Sequence, residues 1–204
     1  GTNGLITTKI PYSYYHVKVD YRWGAEGGSK NAGLITHIDL DSKAEKDNRP
    51  RSIEINMRND CPGGVFLAKN LGPFANSYIK EKTRMFLPEA KGGILHHGNP
   101  FGDRTIFPNY PESDTKITKD TKGDKDKPNT RPYGEWNTLE AIVKGGESVE
   151  IILNGVVVNR LTNIKEVEQG DKKPGQLLTS GGIGLQSEGQ EIFYRNFIIK
   201  ELKP

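Results

Sequence analysis

The sequence predicts an all-β chain folded as a two-sheet antiparallel β-sandwich. Apolar residues recur with a period of two along nearly every hydrophobic run, and no long stripe recurs at 3.6. Twenty-four glycines and twelve prolines break the 204 residues into short segments. Short strands at regular spacing with turn residues between them favour two packed sheets, one of which often keeps an open polar face.

Each element has its own justification. HVKVDYRW at 16–23 sets Val17, Val19, Tyr21 and Trp23 on one face and His16, Lys18, Asp20 and Arg22 on the other, which predicts a half-buried strand. SIEINMR at 52–58 alternates as cleanly, Ile53, Ile55 and Met57 against Glu54, Asn56 and Arg58. Residues 136–161 read as three strands joined by tight turns at Gly145-Gly146 and Asn154-Gly155; the second pair suits the positive φ values of a type I′ hairpin. The closing stretch GGIGLQSEGQEIFYRNFIIKEL predicts a strand, a turn at Gly189-Gln190 and a final strand. In that last strand Ile192 and Tyr194 keep one phase while Phe197 and Ile199 keep the other, so a β-bulge is expected at Arg195-Asn196. Residues 98–135, with five prolines and a lysine-rich run, read as a long solvated loop able to wall a cleft.

Bulk properties exclude several function classes. One domain over 1–204 is the expectation at this length. With 29 Lys and Arg against 26 Asp and Glu, the net charge of +3 lacks the basic footprint that nucleic acid demands. Cys61 is the single cysteine, so an internal disulfide and a thiolate zinc site are both excluded, and it reads as an inert residue near a turn. No apolar run reaches the ~20 residues that span a bilayer as a helix. The chain opens on Gly rather than Met, which suggests a processed protein whose leader was removed. No GxSxG, HExxH or P-loop is present, and no GxGxxG stands in a strand-to-helix context.

The candidate chemistry is carried by polar residues on strands. Glu54, Asn56 and Arg58 project from one side if the alternation holds, and Gln186 and Glu188 share a face by the same rule. NAGLITHID at 31–39 sets Asn31 and His37 on a common face, with Ala32 and Gly33 leaving room for a close approach. A lone histidine is more often a hydrogen-bonded structural residue than an acid or base. Trp136 is either a core anchor or a platform for a sugar ring. The adjacent His96 and His97 would point to opposite faces of a strand, which argues against a metal site there. No cofactor is expected; a divalent cation at the turn acids Asp39, Asp41 and Asp60 is conceivable chemistry without a fixed ligand spacing.

Tyr-Arg-Trp followed by NAGL, then SIEINMRND, then GEWNTLEAIVKGGESVEIILNGVVV, and finally the closing block, together resemble the 3-keto-disaccharide hydrolase domain family over nearly the whole chain. The resemblance implies a concanavalin A-like jelly roll whose concave sheet forms the site, a saccharide ligand, action on glycosides oxidised at C3, and usually an exported bacterial protein. Members usually carry a further N-terminal strand before the LITTK segment, and many have His where Glu188 stands. By that resemblance Glu54, Glu188 and Arg195 are the candidate catalytic residues; the facing pattern adds Asn31, His37, Asn56, Arg58, Trp136 and Gln186 as candidate substrate contacts. Glu54 or Glu188 would be the base, and Arg195 or Arg58 would stabilise the oxyanion.

Two other readings compete. Glu54 and Glu188 could form the acid and nucleophile of an ordinary glycosidase, for which carboxyl separations of about 5 Å or about 6.5 to 9.5 Å are diagnostic. The same sandwich also serves as a non-catalytic carbohydrate-binding module.

Overall fold

A computed structural model describes residues 3–24, 31–41, 50–58, 62–68, 71–73, 77–79, 86–88, 131–162, 164–166 and 176–204. Cys61, Asp60, His96 and His97 lie outside the described residues, as does all of the predicted loop except 131–135. Fourteen strands are described: β1 (Asn3–Thr7), β2 (Tyr14–Trp23), β3 (Ala32–Ile38), β4 (Ser52–Asn56), β5 (Val65–Ala68), β6 (Leu71–Pro73), β7 (Ser77–Ile79), β8 (Phe86–Pro88), β9 (Asn137–Lys144), β10 (Ser148–Leu153), β11 (Val156–Thr162), β12 (Ile164–Glu166), β13 (Gly182–Glu188) and β14 (Ile192–Glu201).

Two five-stranded antiparallel sheets form the sandwich. The first runs β1-β13-β3-β4-β5 and the second β11-β10-β9-β2-β14, while β6 pairs with β12 and β7 with β8. The period-two pattern decides which residues meet between them. Val17, Val19 and Tyr21 of β2, with Leu139, Ala141 and Val143 of β9, face Leu34 of β3, Ile53 and Ile55 of β4 and Ile183 of β13 in one core cluster. Each fully buried Leu or Ile contributes roughly 1.5–3 kcal/mol, so this interior is the main stabilising term.

The turns follow their residues. Asn154 and Gly155 adopt φ of 49° and 83°, as a two-residue type I′ loop requires, and join β10 to β11. The phase slip in the last strand is a bulge: the β14–β2 register shifts between Arg195 and Ile198, and Asn196 has a φ of 52°. Phe197 does not share the facing of Ile199: it is 39% exposed on that bulge, whereas Ile199 packs on the core.

A second bulge was not expected. In β3, Leu34 pairs with Leu185 and Ile35 with Gly184, but Ile38 pairs with Gly182, so Thr36 and His37 together oppose Ile183. The extra residue inverts the side-chain phase, and His37 takes a φ of 54°.

Candidate active site on the polar face of the first sheet

Antiparallel register arranges the outward-facing residues of the first sheet in levels. Gln186 of β13, Gly33 of β3 and Asn56 of β4 form one level. Gly184, Ile35 and Glu54 form the next. On the other side, the Glu188 amide bonds to the Asn31 carbonyl and the Met57 amide to the Ala32 carbonyl, so the pairing runs on and sets Glu188, Asn31 and Arg58 level with one another. The alternation that separates Ile53 and Ile55 into the core therefore delivers five of the predicted polar residues, Glu54, Asn56, Gln186, Glu188 and Asn31, to one face, with Arg58 in the same phase just past β4.

The two carboxylates lean toward the middle level from opposite sides. Two strand spacings and four residues set their backbones roughly 16 Å apart. Glu54 lies over Gly33: a Cβ there would stand 2.6 Å from its Cγ and 3.1 Å from its Oε1. Glycine at 33 is thus the condition for the carboxylate to fold across β3. Glu54 is 5% exposed. Glu188 accepts from Gln186 Nε2 at 2.6 Å on one oxygen and from Asn31 Nδ2 on the other. Asn56 serves the fold, since its Nδ2 donates to the Gly64 carbonyl at 3.1 Å and closes the turn into β5.

Tyr194, which the sequence did not single out, supports the face from behind. Its hydroxyl crosses the core from β14 and donates to the Gln186 carbonyl at 2.6 Å. Burial, then the nearby Tyr21 and Glu54, push its phenol well above the usual range, so it stays a neutral donor. An aromatic with a polar tip inside the run IFYRNF was the available signal.

Three expectations are corrected. The bulge turns His37 off the Asn31 face and into the interior, 2% exposed, where Nε2 lies 2.9 Å from the Gly145 carbonyl and Nδ1 3.1 Å from Thr36 Oγ1. A carbonyl only accepts, so Nε2 carries the proton and Nδ1 accepts from the hydroxyl. Burial is the main cause that lowers the His37 pKa to about 4. Arg195 stands on the outer face of the second sheet, paired in register with Asp20 and bonded to it at 3.3 Å, because the turn after Glu188 carries the chain from one sheet to the other. Trp136 lies on that same far face, with the guanidinium of Arg195 4.0 Å and that of Arg22 5.0 Å from its ring centre. Neither joins the Glu54–Glu188 row.

Among the described residues no three His, Cys, Asp or Glu side chains gather to hold a metal ion. Asp39 accepts from the Asp41 amide at 3.1 Å and faces Arg51 at 3.7 Å, the ordinary partners of turn acids. Among the described residues no helix is long and apolar enough to cross a membrane.

The sandwich fold has known counterparts. Residues 1–200 match the family described as the 3-keto-alpha-glucoside-1,2-lyase-like domain. The chain belongs to this family. A comparison with curated protein sequences gives no match. Among solved structures, a candidate glycosyl hydrolase of Parabacteroides distasonis superposes on the 3-keto-alpha-glucoside-1,2-lyase-like domain with a TM-score of 0.53 at 20% identity, over 98% of this chain and 84% of that one. A second candidate glycosyl hydrolase of that species gives 0.49 at 19% identity, over 97% and 76%. A carbohydrate-binding module of Bacillus subtilis gives 0.48 at 10%, over 98% and 82%. At 20% identity, the first likeness is one of fold.

Proposed function

We propose that this domain acts on glycosides oxidised at C3, releasing the substituent at C1 by β-elimination. The observation that carries the reading is Glu54, a buried carboxylate laid over Gly33 at the centre of a polar sheet face. The family match supports this choice of substrate class. A ketone at C3 acidifies the proton on C2. Glu54 takes that proton, and the electrons of the C2–H bond pass into an enolate whose oxygen is the former ketone. As the ketone re-forms, a double bond forms between C1 and C2, the C1–O bond breaks, and the leaving oxygen picks up a proton. Water then adds its hydroxyl to C1 and its hydrogen to C2. With Arg195 on the other sheet, Arg58 is the cation whose phase suits the developing oxyanion.

An ordinary two-carboxylate glycosidase would have to use Glu188 as its nucleophile and Glu54 as its acid, because both oxygens of Glu188 accept amide hydrogens and a carboxyl group that carries a proton gives up one of those bonds. A pure binding module is the second reading: Phe66 of β5 pairs in register with Glu54, so a half-buried ring borders the polar row, whereas Trp136 lies beneath two guanidiniums on the far sheet.

The test is incubation with an aryl 3-keto-glucoside and the matching unoxidised glucoside, following aglycone release and the absorbance of the conjugated enone. Release from the keto compound alone is expected. Binding of either sugar without release would make the domain a carbohydrate-binding module, and release from the unoxidised glucoside would make it a conventional glycosidase. An exported location belongs to the same reading and rests on the family likeness alone.

A further inference from the structure

The chemistry proposed above uses Glu54 and leaves Asn31, Gln186 and Glu188 unexplained. Both oxygens of Glu188 accept hydrogen bonds, one from Asn31 Nδ2 and one from Gln186 Nε2, so each neighbouring amide turns its NH₂ toward it. That choice fixes the rest of each amide, because its carbonyl oxygen then points away from Glu188. Asn31 Oδ1 and Gln186 Oε1 are buried and, among the described residues, accept no hydrogen bond. Gln186 is only 9% exposed and its main-chain carbonyl already holds Tyr194, so its side chain is fixed from both ends. A buried amide oxygen left bare is costly, and two of them flanking one carboxylate define a place that requires hydrogen-bond donors.

We propose that Asn31, Gln186 and Glu188 form a hydroxyl-reading subsite that holds a saccharide ring through at least two of its hydroxyl groups, beside the carboxylate of Glu54. The inference rests on the preceding reading for its ligand class. Glu188 is then a binding residue, and the base is Glu54. A hydroxyl suits the subsite because it donates to the amide oxygens while its own oxygen can take a further hydrogen, so no net charge is buried. The specificity consequence is strong: a site built to accept a hydroxyl hydrogen discriminates against the analogue that lacks it.

The experiment is calorimetric titration with methyl 3-keto-α-glucoside, methyl α-glucoside and each monodeoxy analogue, on the wild type and on Asn31→Ala, Gln186→Ala, Glu188→Gln and Glu54→Gln. Affinity should fall about tenfold or more in the first three variants, while Glu54→Gln loses turnover. At least one monodeoxy sugar should bind the wild type about tenfold more weakly than its parent and lose nothing further on Asn31→Ala or Gln186→Ala. In turnover, Glu188→Gln should raise KM about tenfold with kcat nearly unchanged, whereas a base would lose kcat.

Where a variant fails to fold, as thermal unfolding would show, the deoxy series on the wild type decides alone. Equal affinity for every deoxy sugar overturns the subsite, as does calcium ion binding lost in Glu188→Gln without any saccharide binding. Turnover with unchanged affinity in the amide variants overturns the subsite and leaves the elimination standing. Saccharide binding lost in those variants, with no turnover by any form, does the reverse.

Discussion

His37 Nε2 donates to the main-chain carbonyl of Gly145 at 2.9 Å, joining β3 of one sheet to the β9–β10 turn of the other across the end of the sandwich. The imidazole is 2% exposed and its pKa is lowered to about 4, against 6.5 for the free side chain. The folded protein thus keeps this ring neutral where the unfolded chain protonates it. Stability from this group is complete above about pH 6.5 and is lost as pH falls toward about 4, on the order of 3 kcal/mol over that window. Denaturant unfolding between pH 7.5 and 4 should show this slope, and His37→Asn, which tolerates the positive φ, should flatten it. A slope unchanged in the variant would rule this assignment out.

Glu54→Gln keeps the shape of the side chain and removes the base. Turnover of a 3-keto-glucoside should fall about 10²–10⁴-fold with little change in melting temperature. Loss of less than fivefold would mean another group takes the proton.

Gly33→Ala tests the lodging of that carboxylate. The new methyl would stand 2.6 Å from the Glu54 Cγ, so the side chain must leave its place over β3. Turnover should drop at least tenfold, with a stability cost of about 1–3 kcal/mol from overpacking. Full activity in a folded Gly33→Ala protein would detach Glu54 from the chemistry.

Arg195→Ala should leave turnover within twofold, because Arg195 belongs to the other sheet. Its half-exposed ion pair with Asp20 is worth no more than about 1 kcal/mol. Asp20 itself matters more. Burial opposes its ionisation, but donors from Thr138, Asn196 and Arg195 outweigh that and hold its carboxyl below the usual range. Its stabilising contribution is present above about pH 4 and lost as pH falls through the lowered folded value. Asp20→Ala should destabilise by about 1–3 kcal/mol with normal turnover, measured by chemical unfolding beside an activity assay.

Gly155→Ala isolates a backbone effect. No atom lies within 4 Å of the added methyl, so only the φ of 83° resists it. The expected cost is about 1–2 kcal/mol in unfolding free energy, with activity intact. A neutral result would show that the β10–β11 turn relaxes to a type without positive φ.

Strands were legible where one face is buried and the other is not. Val17, Val19 and Tyr21 alternate with His16, Lys18 and Asp20, and the structure keeps that division. The bulge in β14 was legible for the same reason: a slip shows only against an alternating background. β3 is buried on both faces, its sequence does not alternate, and so the bulge at His37 left no trace. Glu54 and the Gln186–Glu188 segment lie 132 residues apart, yet each carried its own facing rule, and sheet register did the rest. Arg195 misled because sheet membership is a long-range property. Only six residues separate it from Glu188, and the turn between them changes sheets.

Asn196 has one more consequence, for the behaviour of the protein in concentrated solution. Among the described residues β14 bonds to β2 alone, and its outer flank carries Phe193, Phe197 and Ile198 at 40%, 39% and 56% exposure. A straight, sticky rim of that kind would invite a neighbouring molecule to extend the ladder. The kink at Asn196 interrupts the row of amides halfway along, and the Arg195 and Lys200 charges flank the break. The rim therefore resists aggregation through its shape and its charge.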